Sequence, residues 1–153
     1  MLENNGDDIL DCSNYGSRIE INPDTWMAPI LIMYDLHSHI LPGVDDGPKT
    51  MNDALEMASV ADEKGTKMML CTPHRRDVTE NSSVKQVQQL LATFKAEIDQ
   101  IGLGLDLAIG MENHIDVDLP DEVSAGRALP MNGGRYMLVE MPFFGNLNYV
   151  EDV

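Results

Sequence analysis

The apolar positions of this 153-residue chain fall into alternating strand-like and helix-like runs. Ile30 to His37 is an apolar run that predicts a buried strand, and it ends in the spacing His37-Ser38-His39. Alternate side chains of a strand share a face, so the two imidazoles are expected to point the same way. Thr50 is a predicted N-cap with Asp53 in the first turn, and Leu55, Ala58 and Ala61 mark an inner helix face. Gly65 is the predicted stop. Lys67 to Thr72 reads as a second strand, ending at Pro73-His74. A longer helix is predicted from Ser82 or Ser83, with Val84, Val87, Leu90, Leu91, Phe94, Ile98 and Ile101 spaced three or four apart. Gly102 and Gly104 end it. Leu105 to Met111 reads as a third strand that stops at Glu112. A short helix is expected over Asp121 to Ala128. A fourth strand is expected over Arg135 to Met141, with Glu140 inside it. Alternating strands and helices predict an α/β fold with a mainly parallel sheet.

Residues 1 to about 30 break this pattern. They show little periodicity and carry six acids against the single base Arg18. Residues 1–32 therefore read as an acidic, weakly structured extension, and 33–153 as the folded domain. Met33 stands at the first convincing strand and is an expected natural start.

The charge narrows the partners. There are 26 acidic against 10 basic residues, a formal charge of −16. This disfavours nucleic-acid backbones and anionic membrane surfaces, and it leaves many carboxylates for hard cations. Cys12 and Cys71 are too few for a disulfide framework, so a reducing cytoplasm fits best. No secretory h-region and no membrane-spanning run are found. Cys71 lies within an apolar strand and is expected in the core.

The chemistry-bearing residues collect at the C-terminal ends of the predicted strands: His37 and His39, then His74, Glu112 and Glu140. In α/β barrels the active site is built from those ends. With Asp46 they form a mixed imidazole and carboxylate set, over-supplied for one tetrahedral zinc and better matched to two or three metals. Paired metals about 3.5–4 Å apart activate water and clamp both oxygens of an in-line phosphoryl displacement. Metal-assisted hydrolysis of a phosphate ester is the predicted reaction, with no protein nucleophile required. Glu140 lies between Val139 and Met141, where an unpaired buried carboxylate would be costly, so a cation partner is favoured. His114 is expected at the surface. Arg75 and Arg76 follow His74; either one holds a phosphate or both lie in a solvated loop.

Four segments, Asp35-Leu-His-Ser-His-Ile-Leu-Pro-Gly-Val-Asp-Asp-Gly-Pro48, Cys71-Thr-Pro-His74, Gly110-Met-Glu112 and Leu138-Val-Glu-Met-Pro142, resemble the polymerase-and-histidinol-phosphatase (PHP) superfamily. More narrowly they resemble its bacterial tyrosine-protein phosphatase branch, tied to capsule and exopolysaccharide biosynthesis, as does Leu129 to Tyr136. The resemblance covers about residues 33 to 153. It implies a distorted seven-stranded (β/α) barrel with a three-metal site, often manganese, with iron or zinc as alternatives. It implies that His37 and His39 hold the first metal, that Glu112 bridges the first and second, and that Glu140 joins the second. Asp46 and His74 would hold the third, leaving Asp45 to shape the loop or orient a ligand. The implied substrate is phosphotyrosine on a partner tyrosine autokinase controlling polysaccharide synthesis, with Arg75 as the candidate phosphate contact. A homo-oligomer is compatible with this reading.

Two departures qualify it. The sequence stops at Val153, near the middle of such a barrel, before the family's later His, its Asp-x-His and its phosphate-binding arginine. Arg75 stands where many relatives carry another His. A fragment of a longer protein is therefore expected, with incomplete metal binding and weak or no catalysis in isolation. Another PHP phosphoesterase, histidinol-phosphatase-like, and an inactive metal-binding remnant are the competing readings; Asp45-Asp46-Gly47 favours phosphotyrosine.

Overall fold

The computed structural model describes residues 32–142. The expectations for the acidic extension up to residue 31 and for the loop from Asn146 to Val153 lie outside the described residues. Among the described residues five strands and four α-helices follow in chain order: β1 (Met33–Ser38), α1 (Met51–Glu63), β2 (Thr66–Cys71), α2 (Arg75–Asn81), α3 (Val84–Ile101), β3 (Asp106–Ile109), β4 (Glu112–His114), α4 (Leu119–Ser124) and β5 (Leu138–Glu140). Among the described residues every strand pairing is parallel. The strands β1-β2-β3 form one sheet and β4-β5 a second. The two are stitched together where the chain beyond β2 meets β4: Gly110 N–H donates to Cys71 O, Glu112 N–H donates to Pro73 O, and His74 bridges to Glu112. The strand order in space thus follows the chain order, with consecutive strands as neighbours.

Local chemistry accounts for the main elements. Thr50 and Asp53 form a reciprocal capping box at the start of α1. Ser83 caps α3, and Gly102 closes it in the left-handed conformation at φ 76°. Val87, Leu91, Phe94 and Ile98 of α3 are buried, with Phe94 at 0% exposure. They join Ala54 and Ala58 of α1 and Met69 and Cys71 of β2 in one core. Each fully buried large side chain contributes on the order of 1.5–3 kcal/mol. Ile101, expected on the inner face, is half exposed because α3 ends there.

Several expectations shift. The run expected as a buried strand is exposed on Tyr34 and Leu36 because, among the described residues, β1 pairs with β2 alone. The expected third strand is two, broken at Gly110 and Met111, so Glu112 opens β4 instead of lying beyond a strand. Gly110 packs against Leu70 and Met131. The stretch after His74 is a helix, α2, with Val78 and Arg75 buried. A single apolar residue, Val78, gave no period to read. The short helix α4 begins at Leu119, earlier than expected, with Pro120 in its first turn. Among the described residues no helix is long and apolar enough to cross a membrane.

Candidate metal centre

The strand ends converge as their spacing predicts. His37 is the penultimate residue of β1 and His39 follows one residue beyond its end, with their Nε2 atoms 3.2 Å apart. Glu112 lies at the centre. Its Oε2 is 3.2 Å from His37 Nε2, 3.2 Å from His39 Nε2 and 3.2 Å from His74 Nδ1. Its side chain is 11% exposed. Glu140 joins from β5, its Oε2 3.5 Å from His74 Nδ1. Asp46 enters from the β1–α1 loop, its Oδ1 3.5 Å from His39 Nδ1 and 3.9 Å from His74 Nε2. All six expected ligands are thus brought together.

The donors fall into three overlapping triads: His37/His39/Glu112, His39/Asp46/His74 and His74/Glu112/Glu140. Within each, ligand atoms lie no more than 4.8 Å from one another. Imidazole nitrogens gathered around several carboxylates make a pocket rich in donor atoms, the environment a divalent cation suits. Shared members suit adjacent ions, with Glu112 common to two triads and placed to bridge. The donor set therefore fits a polynuclear metal group.

Asp45 organises this arrangement from beneath. Its side chain is 1% exposed, and its Oδ2 accepts from His39 Nδ1 at 2.8 Å. A carboxylate only accepts, so His39 carries its proton on Nδ1 and offers Nε2 as a lone-pair donor. The same Oδ2 accepts from His74 N–H at 3.2 Å, and Oδ1 accepts from Gly47 N–H at 3.1 Å. One carboxylate thus holds two ligand segments and the loop carrying Asp46. Gly47 has no room for a side chain, since a Cβ there would run into the carbonyl of His39.

Two features were not read from the sequence. Asn113 is fully buried beside Glu112, and its Nδ2 donates to Met111 O at 2.8 Å and Leu138 O at 3.1 Å, tying β4 to β5. No sequence signal distinguishes it from a surface amide. His114, expected at the surface, is partly buried with Nδ1 3.8 Å from Glu140 Oε2. The register that sets His114 opposite Glu140 explains this. Arg75, the candidate phosphate contact, is 4% exposed. Its Nη2 donates to Asp116 at 2.7 and 3.0 Å.

Comparison with known proteins identifies the lineage. Residues 33–153 match the family described as capsular polysaccharide synthesis, CpsB/CapC. The chain belongs to this family. Among CpsB/CapC relatives it is 32% identical over 110 residues to CapC of Staphylococcus aureus, covering 72% of this chain and 43% of that one. It is 27% identical over 121 residues to the tyrosine-protein phosphatase YwqE of Bacillus subtilis, covering 79% and 48%. It is similar in structure to one chain of the crystal structures of YwqE from Bacillus subtilis and CpsB from Streptococcus pneumoniae, described as unique metal-dependent tyrosine phosphatases. That match has a TM-score of 0.73 at 28% identity and covers 78% of this chain and 48% of that one. The chain thus spans about half the length of the relatives it matches.

Proposed function

We propose that this chain is the N-terminal part of a metal-dependent protein-tyrosine phosphatase acting in capsule or exopolysaccharide synthesis. The observation that carries the proposal is the three-triad donor cluster centred on Glu112, found in a chain of the CpsB/CapC family. In this reading residues 33–153 form the first half of a (β/α) barrel of the PHP type. The parallel strands in chain order, with His37 near the end of β1 and Glu140 at the end of β5, His39 and His74 just beyond β1 and β2, and Glu112 opening β4, support that architecture. His37, His39 and Glu112 would hold one ion, Glu112 and Glu140 a second, and His74 with Asp46 a third; manganese is proposed, with iron or zinc as alternatives. When bound, such a group supplies Lewis-acid polarisation of the phosphoryl oxygens and acidifies water near neutral pH.

The protein's own residues have defined tasks. His39, held by Asp45, presents Nε2 inward. Glu112, shared by two of the donor triads, would be a ligand common to two of the ions. Asp46, 80% exposed, lies at the solvent side, where a phosphoryl group would enter. The proposed substrate is phosphotyrosine on a tyrosine autokinase, and the proposed compartment is the cytoplasm. The test uses the reading frame completed to the length of its relatives, loaded with manganese. The completed protein is expected to hydrolyse a phosphotyrosine peptide and to lose that activity on chelation. Activity confined to histidinol phosphate would overturn the substrate class.

A further inference from the structure

Arg75 is buried next to a proposed ligand, yet its guanidinium points to carboxylates of its own chain. Nη2 donates to Asp116 Oδ2 at 2.7 Å and Oδ1 at 3.0 Å, and reaches His114 O at 3.4 Å. Nη1 lies 3.7 Å from Glu122 Oε2 in α4. Arg76 adds a contact to the same Asp116 at 3.3 Å, and Arg127 holds Glu122 through bonds of 2.9 and 2.6 Å. Burial pushes the Asp116 carboxyl up, but its hydrogen bond with Asp118, the Arg75 charge and the hydrogen bonds from Arg76 and Arg75 outweigh that push and hold it below its usual range.

The placement of these partners matters more than their number. Arg75 is bonded in sequence to His74, at the junction of β2 and α2. The His114 carbonyl ends β4 and Asp116 lies in the chain leaving it, two and four residues after Glu112. Between them, Ile115 N–H donates to Glu140 O at 3.0 Å, so the same stretch also carries β5. His74, Glu112 and Glu140 form one donor triad; the His74 segment and the stretch after Glu112 meet at this guanidinium, and that stretch in turn holds the strand of Glu140. A phosphate seeking Arg75 would have to displace Asp116 from a site that is 4% exposed.

We propose that Arg75 is a positioning residue: paired with Asp116, it braces the His74 segment against β4 and so sets the spacing of the His74/Glu112/Glu140 triad. This rests on the metal-centre reading above. Groups that orient ligands typically alter metal affinity 10–100-fold when lost, and a salt-bridged guanidinium crossing two segments is such a group.

The experiment is calorimetric titration of Mn2+ into the metal-free 153-residue chain and its Arg75→Gln, Arg75→Lys and Asp116→Asn variants. Circular dichroism melts fix a temperature at which each is folded. Arg75→Gln and Asp116→Asn are expected to weaken Mn2+ binding by about tenfold or more. Arg75→Lys, which keeps the charge facing Asp116, recovers part of that loss. Where one variant fails to fold, the other two decide. Lowered melting temperatures with wild-type Mn2+ affinity would make the pair merely structural and overturn the proposal. Normal Mn2+ affinity with lost inorganic phosphate binding in Arg75→Gln would return Arg75 to substrate binding and overturn it equally. Failure of the wild-type chain to take up Mn2+ would instead sink the metal-centre reading itself.

Discussion

Asp45→Asn isolates the role of a side chain that touches no proposed ion. In the native site the carboxylate accepts from His39 Nδ1, from His74 N–H and, through its other oxygen, from Gly47 N–H. An amide has one accepting oxygen and one donating nitrogen. With the oxygen toward His39 and His74, the NH2 confronts Gly47 N–H; with the amide turned over, it confronts the other two donors. At least one hydrogen bond to a charged acceptor is lost, worth about 1.5–3 kcal/mol. Part of that loss falls on the metal-free fold and lowers its melting temperature. The remainder falls on His39, whose Nε2 is no longer held toward Glu112. At 1.4 kcal/mol per decade, a Mn2+ affinity reduced about 10–100-fold is expected. Calorimetric titration of the folded variant reads it directly. An affinity within about threefold of wild type, well below that range, would refute the orienting role of Asp45.

Three further outcomes follow from the same geometry. Glu112→Gln removes the shared carboxylate of two triads and should weaken Mn2+ binding beyond the roughly 100-fold upper range of an orienting residue, measured by the same titration. Gly47→Ala drives a Cβ into the His39 backbone carbonyl; a stability loss of about 1–3 kcal/mol is expected in chemical denaturation, and an unchanged midpoint would contradict the close packing of that loop. Burial pushes the Cys71 thiol up to about 12, so at pH 8 the folded chain keeps it protonated and its peptide should remain unmodified by iodoacetamide in mass spectrometry, reacting only after denaturation.

Where the sequence was informative, it was because physics ties residue type to position. Strand ends in an α/β fold converge on one rim, so histidines and glutamates at four strand ends could be assigned to one site before any distance was known. Thr50 and Ser83 were recognisable because caps depend on one hydroxyl and its nearest neighbours. The helix α2 was not legible: seven residues with a lone buried apolar side chain, Val78, carry no period. The break between β3 and β4 and the exposure of Tyr34 and Leu36 depend on which strands pair, a non-local property. Arg75 shows the same limit, since its partners Asp116 and Glu122 lie some forty residues away and are brought to it by the fold.

The central claim is that Glu112 joins several ion sites, and counting ions tests it most directly. Chelator-stripped chain dialysed against Mn2+ and analysed by atomic emission should retain more than one ion per chain, and the Glu112→Gln variant should retain fewer. Retention of one ion or none by the wild-type chain, or equal retention by the variant, would contradict a polynuclear centre built on Glu112.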